Sequence, residues 1–586
     1  AGYAHALDDT TFIYHEGHRS FGPSRRGRVA AAHRRLARLH PEYMATIARF
    51  VRADPLAPLR ARVLAALAPP PGRLPQPGVT AVLPRRPGLP PGPRRVLHLV
   101  HGWPPWNHAG TELYAAWLVR RQAAHREVTV LSRIADPARG GGDALELLDA
   151  GARVRLLVRN FDERDPRARN ALASRPVERE LRRLLDEVRP ELVHIHHLAG
   201  HAASLAPLVR RRGIPLLYQI QDWWTPCARA NLLDRERRLC SGPAPRKCAA
   251  CLPLTGRPPA AVLNPLLHRY RAAATARALR SADVYVMGSR FSHESYLRLG
   301  LLRPGDPAHV LTYGVELTPA APRRPRAPGE PLRCGVIGSI LPHKGIHVAV
   351  AAFAGVEPRQ ATLMVWGNPG ADPSYTAELV ALGAVLANRD SADCRVVGGP
   401  AGAAGGEVPD AAAATVAPLT RDRRPAGRPG GVILAGSFDE SRKAEIFAGL
   451  DVLIVPSLGL ESFGLVAREA MHHGVPVLAS RRGALAELFP AGDGGDADAA
   501  GGGDGGGGAG AGALFPPGDA PALRREIERL IAEPERLTAW RNRLPEVKGA
   551  DEHAAEIEEI YLRLLAVRRG GEAHAGGGSE AAEAPP

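Results

Sequence analysis

The sequence predicts an α/β fold: two doubly wound, Rossmann-like domains facing a cleft, preceded by a mostly helical N-terminal extension. Three observations carry this. Short apolar runs alternate with amphipathic stretches from residue 94 onward, the pattern of a parallel sheet with helices on both faces. The alternation occurs twice, interrupted by the Pro/Arg-rich stretch TPAAPRRPRAPGE at 318–330. At 586 residues the chain also exceeds what one hydrophobic core organises, so two or three domains are the default.

Taken in order, residues 1–70 stand apart. A short strand-like run is followed by RVAAAHRRLARLHPEYMATIARFV, which has helical periodicity but too little apolar content for a core of its own. Pro and Gly dominate 71–93, a linker. The first α/β unit, 94–317, has RRVLHLV, EVTVLS, ARVRLLV, ELVHI, PLLYQI and DVYVMG as strands and GTELYAAWLVRRQAAH as its first helix. After the 318–330 linker, the second unit (331–550) has LRCGVIG, ATLMVWG, GVILAG, DVLIVPS and VPVLAS as strands. Low-complexity stretches near 398–430 and 492–512 read as mobile surface insertions, 551–568 as a last helix, and 569–586 as a disordered tail. Ligands of such sheets bind at the carboxyl ends of the strands.

Lysine occurs at only four positions, Lys247, Lys344, Lys443 and Lys548, so arginine carries nearly all of the positive charge. The formal net charge of +16 is spread along the chain. It suits nucleotides or an anionic membrane surface better than nucleic acid, for which a basic stripe interleaved with aromatics is lacking. No apolar run reaches the ~18–20 residues of a membrane span and no signal peptide is visible. With only six cysteines the expected compartment is reducing, hence cytoplasmic, at the inner face of the membrane if the charge serves that role. The chain begins at Ala1, which fits a piece of a longer two-enzyme polypeptide.

The stretch ESFGLVARE places Glu461 and Glu469 around seven residues, among them Phe463, Gly464, Leu465 and Val466. DVLIVPS reads as a strand, SLGLES as the loop at its carboxyl end, FGLVAREAMHHG as a helix and VPVLAS as the next strand: a βαβ crossover. The helix N-terminus then offers N–H groups and partial positive charge to a phosphate. Gly464 lets the backbone come close. Glu469, a turn into the helix, is placed for ribose hydroxyls, and Glu461, in the loop, for sugar hydroxyls beyond the diphosphate. The plain alternative is a pair of solvated glutamates.

GVIGSILPHKG supplies a second piece: a strand ending at Gly338, then a loop with Lys344 placed to meet a diphosphate. A third, HGWPPWNHAGTE, opens a helix at Gly110, or is simply a turn. In ELVHIHHLAGH, alternation sends His194 and His196 to one face, and at a carboxyl edge one of them should reach the cleft; packing or capping is the commoner role of such a histidine. His197, and Asp222 in YQIQDWW, are acceptor-side candidates.

Together these elements resemble the retaining glycosyltransferases of family 4, which have the GT-B fold, over about 94–568. IGSILPHKG, HGWPPWNHAGTE, ADVYVMGSRF, GALFPPGDAPAL and the Glu-x7-Glu element match in order and spacing. The resemblance implies transfer of a sugar from a nucleotide-sugar donor to a hydroxyl of a glycan or lipid-linked acceptor, with retained configuration and no metal or other cofactor in catalysis. It makes His196, Glu461 and Lys344 the catalytic group. Gly110, Gly338, Lys344, Glu461, Phe463, Gly464, Leu465, Val466 and Glu469 become the donor site. The setting it suggests is synthesis of a bacterial surface polysaccharide or glycan. Two departures stand out: Ser339 occupies a position where many members carry arginine, and the 492–512 insertion interrupts a normally continuous segment. The 1–70 segment resembles the end of a family 2 glycosyltransferase domain with a GT-A fold, with His15 near its former metal site; without a nucleotide-binding half it is expected to be inactive.

Cys227, Cys240, Cys248 and Cys251 fall in the pattern C-x12-C-x7-C-x2-C. Four thiolates closing on C-x2-C suit a structural tetrahedral Zn²⁺; free thiols and disulfides are the alternatives. Two other readings are a sugar-nucleotide epimerase of the same fold and a zinc-containing nucleic-acid-binding protein. The second leaves Glu-x7-Glu and HKG unexplained.

Overall fold

The computed structural model describes residues 91–576, apart from 108, 137–141, 161–169, 257, 324, 328, 388–430 and 490–509, with side chains to 568. The extension 1–70 with His15, most of the 71–93 linker and most of both insertions lie outside the described residues.

The first sheet is built from β1 (Arg95–Leu99), β2 (Glu127–Ile134), β3 (Ala144–Asp149), β4 (Ala152–Val158), β5 (Leu192–Ile195), β6 (Leu216–Ile220), β7 (Val284–Met287) and β8 (Ala308–Val310), in the order β3-β4-β2-β1-β5-β6-β7-β8. The second contains β9 (Leu332–Ile337), β10 (Ala361–Trp366), β11 (Val385–Leu386), β12 (Gly431–Gly436), β13 (Val452–Val455), β14 (Val477–Ser480) and β15 (Gly512–Phe515), in the order β11-β12-β10-β9-β13-β14-β15. Both sheets reverse direction of growth beside their first strand, which opens a crevice at that switch point. The architecture is two Rossmann-like α/β domains.

Three boundaries differ from the sequence reading. β3 pairs antiparallel with β4, so the first sheet is not purely parallel. ALELLD alternates apolar residues with Glu146 because it is an edge strand with one wet face. The second insertion ends before 512, since Gly512 already belongs to β15; a Cβ there would lie 2.0 Å from the Val477 carbonyl oxygen, so only glycine fits. The last helix runs Ala550–Gly576, into the stretch read as a tail.

That helix does not stay with the second sheet. Ala550, Ala554, Ile557, Ile560, Tyr561 and Leu564 recur at helical spacing and pack on Val96, Leu118, Leu192 and Leu217 of the first domain. Arg126 pairs with Glu558 across this contact. The chain thus crosses between domains twice, and the crossings lie side by side: Val315 N donates to Lys548 O (3.0 Å) and Ala550 N to Val315 O (2.9 Å). Gly314 is required there, since a Cβ would sit 2.3 Å from the Gly549 carbonyl oxygen.

Beneath the returning helix lies a buried polar layer. His98 (β1) and His194 (β5) are register partners on neighbouring strands. His194 bonds Tyr561 Oη at 2.8 Å and Gln219 Oε1 at 3.0 Å, and His553 bonds Tyr114 Oη at 2.7 Å. Burial holds both His98 and His553 down at about 3. In the unfolded chain these rings titrate near their ordinary value, so below that value the unfolded state binds more protons and folding weakens. Stability is therefore intact above pH ~6.5 and falls as the pH drops toward 3, by up to ~1.4 kcal/mol per pH unit for each group. The denaturation midpoint is expected to be lower at pH 5.5 than at pH 7.5, with a shallower slope in His553→Gln; equal pH slopes in the two proteins would contradict this. Ile557→Ala, at a fully buried position, should cost ~2–5 kcal/mol in the same measurement.

Candidate functional site

At the carboxyl end of β9, Gly338 turns the chain into a 3-10 turn, Pro342–Lys344, and Gly345 leads into the helix Ile346–Phe353. Gly345 has φ +67°, and a Cβ there would stand 1.9 Å from the Pro456 carbonyl oxygen. This close approach locks the loop to the one following β13: His343 O accepts from both Leu458 N and Gly459 N at 2.9 Å. The result is that Lys344 Nζ donates to Glu461 Oε1 at 2.7 Å, with Ser457 Oγ donating to the same oxygen at 2.6 Å. Burial alone would raise the Glu461 carboxyl; Lys344, Ser457 and His343 outweigh it and hold it below the usual carboxylate range. Ala484 N donates to Glu461 O at 2.8 Å, fixing the backbone of that residue as well.

The helix after this loop spans Leu465–His472, so it starts two residues later than the sequence suggested. Phe463 is not in its first turn. Its ring is buried against Tyr313, 4.9 Å away, with the Arg468 guanidinium 3.9 Å from its other side. Gly464 caps the helix with φ +79°, a left-handed position that suits glycine. Leu465 and Val466 form the first turn, where N–H groups lack intrahelical partners. Glu469 accepts from Lys443 Nζ at 2.9 Å. One ammonium here serves two carboxylates, Glu469 and Glu440. Burial pushes the Glu469 carboxyl above its ordinary range, and its share of Lys443 only partly offsets this. Burial also disfavours the Lys443 ammonium, but the two carboxylates outweigh it and hold it above its usual value.

Lys443 was not singled out from the sequence, although being one of four lysines in an arginine-rich chain was the available signal. The two paired carboxylates thus sit at the switch point of the second sheet, Glu461 held by a lysine of the turn Pro342–Lys344 and Glu469 by the first residue of the helix Lys443–Ala448.

Gly110, at the start of its helix in the first domain, comes close to this point: a Cβ added to it would lie 3.7 Å from Leu465 Cδ2. The two domains touch all along the 460–463 loop. Trp223 Nε1 donates to Leu460 O (2.6 Å), Ser289 Oγ to Ser462 O (2.7 Å), and Ser462 Oγ to Gln221 O (2.6 Å). Glu487 accepts from Phe291 N (2.6 Å), at the first turn of the first-domain helix Arg290–Arg298.

The histidines are placed differently from expectation. His194 and His196 do share a face, their rings stacked at 4.0 Å and 20°, but both are fully buried and neither reaches the open edge. The reason is that β1 and the Gly110–Ala123 helix cover them: His98 Nδ1 lies 2.9 Å from His196 Nε2, and the Tyr114 ring is 5.8 Å from that of His196. Burial, followed by neighbouring imidazoles, keeps His194 and His196 uncharged well below the usual range. His98, missed in the sequence, completes a trio whose nitrogens lie within 4.8 Å of one another. The His98 and His194 rings lie at 18° and 20° to that of His196 and at 37° to each other.

His197 Nε2 and Asp222 Oδ1 are 3.0 Å apart, and Trp224 N donates to the same carboxylate oxygen. With His196, Gln219 and Tyr296 they line a space of about 10 Å³, room for roughly one water and far too small for a sugar. The acceptor-side candidates are therefore joined to each other. Cys227, Cys240, Cys248 and Cys251 are half-buried, unbridged thiols on the loop beyond Trp224.

Known proteins resemble this chain in both halves. Residues 109–314 match the glycosyl transferase 4-like domain, and 379–533 match glycosyl transferases group 1; neither match reaches 1–70. Phosphatidyl-myo-inositol mannosyltransferase of Mycobacterium leprae is 42% identical over 67 residues, 10% of this chain and 18% of that protein. Sucrose-phosphate synthase from Thermosynechococcus elongatus aligns over 81% of this chain and 100% of its own, at 17% identity and a TM-score of 0.53. Anabaena HepE, solved in complex with UDP-glucose, aligns over 82% of this chain and 99% of its own, at 16% identity and a TM-score of 0.46. No helix among the described residues is long and apolar enough to cross a membrane. With a glycosyltransferase domain matched on each of its two Rossmann-like halves, this chain is a glycosyltransferase of the GT-B fold.

Proposed function

We propose that the chain moves a sugar from a nucleotide-sugar donor to a hydroxyl acceptor with retention of anomeric configuration, in the manner of family 4, and that the acceptor is a glycan or lipid-linked glycan of a bacterial surface polymer. The observation that carries this reading is the pair of lysine-bound carboxylates, Lys344–Glu461 and Lys443–Glu469, flanking the N-terminus of the helix Leu465–His472. A nucleotide-sugar presents ribose hydroxyls, a diphosphate and sugar hydroxyls in that order. Glu469, the helix N-terminus with Lys344, and Glu461 offer acceptors, positive charge and acceptors in the same order. Gly110 approaches from the first domain and leaves room for the phosphates. Gly338, open to a Cβ on every side within 4 Å, borders the same space.

Lys344 has two roles in this reading. Without donor it neutralises Glu461. With donor bound it meets the diphosphate, whose negative charge grows as the bond to the anomeric carbon breaks, and Glu461 is released to accept from sugar hydroxyls. A charge matched to the leaving group acts mainly in the transition state, so its loss falls on turnover more than on affinity. This chemistry asks for no metal. The absence of a charged side chain at Ser339 puts more of the diphosphate's neutralisation on Lys344.

The test begins with a thermal-shift screen of nucleotide-sugars, followed by transfer and hydrolysis assays on the hits and proton NMR of the product's anomeric configuration. An inverted product would overturn retention. With the donor identified, Lys344→Ala should lower kcat by roughly 10²–10³, or ~3–4 kcal/mol, and Lys344→Arg should recover only part of it, since a planar fork does not reproduce a point ammonium. Near-normal turnover in Lys344→Ala would remove that lysine from the mechanism.

A separate measurement addresses Glu469. Its carboxyl already sits above the ordinary range, and Lys443→Ala takes away the charge that partly offsets burial. Nucleotide binding that relies on the ionised carboxylate should then weaken more at pH 6 than at pH 8, by about tenfold for a hydrogen bond to a charged group worth ~1.5 kcal/mol. Calorimetry at both pH values checks this. A pH-independent loss would mean that Lys443 contacts the nucleotide itself.

A further inference from the structure

The loop from Gln221 to Cys251 belongs to the first domain but works at the boundary with the second. Trp223 Nε1 donates to Leu460 O at 2.6 Å. Leu233 joins Val348 and Leu458 in a small apolar cluster. The Arg237 guanidinium forks onto Glu378 (2.7 and 2.6 Å) and lies 5.3 Å from the Tyr375 ring centre. Holding these contacts in register demands a fixed loop, yet the segment has little core of its own. It also carries three non-glycine residues in the left-handed region within eight positions: Ala230 (φ 60°), Leu232 (φ 53°) and Arg237 (φ 63°). Strained backbone of this kind persists only where something over-determines it.

Four cysteines are gathered on this loop. Cys248 and Cys251 lie one turn apart on the helix Pro245–Cys251. Cys240 N donates to Leu232 O at 2.8 Å, and Cys251 Sγ is 4.0 Å from the carbonyl oxygen of the adjacent Leu233, which brings those two cysteines to one spot. Arg235 Nε donates to Cys251 O at 2.9 Å, tying the Leu233–Leu239 turn to the helix. Cys227 lies in the turn after Trp223, where Cys227 N donates to Trp223 O at 2.9 Å.

We propose that Cys227, Cys240, Cys248 and Cys251 bind one structural Zn²⁺ that pins the 221–251 loop in the form in which it meets the second domain. Four soft sulfur donors select zinc over magnesium or calcium, and the ion would bind them as thiolates. In a tetrahedral site with Zn–S bonds of ~2.3 Å the sulfurs stand ~3.8 Å apart. Among the described residues, the group with three ligand atoms within 4.8 Å is the histidine trio, so the cysteine sulfurs are spread wider and the ion would draw them together. Unlike the sugar-transfer reading, this inference involves no residue of the donor site.

The experiment is metal analysis of the full chain purified without chelator under reducing conditions, with cobalt replacement as a spectroscopic check. About one zinc per chain is expected, together with thiolate-to-cobalt charge-transfer bands in the Co²⁺ form. Both should vanish in the Cys248→Ser/Cys251→Ser double variant, and limited proteolysis should then cut within 221–251. Cys227→His, which keeps a ligand, should retain zinc where Cys227→Ala does not, a comparison that stands even if the double variant fails to fold. Protein that neither carries zinc nor takes it up on anaerobic titration, disulfides among these four cysteines, or zinc retained in the double variant would each overturn the proposal.

Discussion

A carboxylate drawn out of water must be paired, and the second domain withdraws two of them side by side. Glu461 and Glu469 lie on the two flanks of one helix N-terminus, and each is met by a lysine from another part of the chain. Much of the surrounding backbone serves to bring those lysines in. Gly345 exists because the Lys344 loop presses on the Pro456 carbonyl, and Gly483 because the following loop presses on Glu461, with a Cβ only 2.4 Å from the Glu461 carbonyl oxygen. Breaking one partner of such a pair leaves a buried charge uncompensated, which costs far more than the pair itself contributes. A cationic or hydroxyl-rich ligand that replaces the lysine as partner removes that penalty, so the site is poised for exchange of partners.

The two pairs are not equivalent. Glu461 has Lys344 and the Ser457 hydroxyl, and its carboxyl is held low; Glu469 shares Lys443 with Glu440, and its carboxyl is held high. Two carboxylates eight positions apart in sequence thus meet different electrostatic environments. Burial acts on both; at Glu461 its partners outweigh it, whereas at Glu469 it prevails over Lys443, with Glu440 adding to it.

Much of this was legible before any coordinates. Alternating apolar runs located the principal strands because both sheets are buried on two faces, and buried strands read as continuous apolar blocks. Glu-x7-Glu and HKG were legible because loop and helix follow directly from a strand. What was hidden depends on pairing between distant segments. β3 was missed since an edge strand with one wet face alternates and looks like loop. Lys443 precedes Glu469 by 26 residues and meets it only through a crossover. His98 is a neighbour of His194 only by the register of β1 on β5. Alternation likewise put His194 and His196 on one face, with one of them expected at the cleft, but it says nothing of what covers that face; both are fully buried, under helices carrying Tyr114 and Tyr561.

The bonding of the 460–463 loop links the paired glutamates to the arrangement of the domains. Ser462 gives its hydroxyl to Gln221 O and its carbonyl to Ser289 and Ser292, all of the first domain, while its neighbour Glu461 faces Lys344 in the second. The segment between them is one peptide long. A shift of the first domain that breaks the Ser462 bonds therefore acts directly on the backbone that holds Glu461, and a ligand that reorients Glu461 acts back on the interface. The paired crossings at Val315 and Gly549 limit how such a shift can occur, since both connections must turn together at one line. The returning helix, buried on the first domain, moves with that domain and not with the sheet it follows in sequence. The peptide between Glu461 and Ser462 is in this way shared between the two domains, one side bonded to Lys344 and the other to Gln221, Ser289 and Ser292.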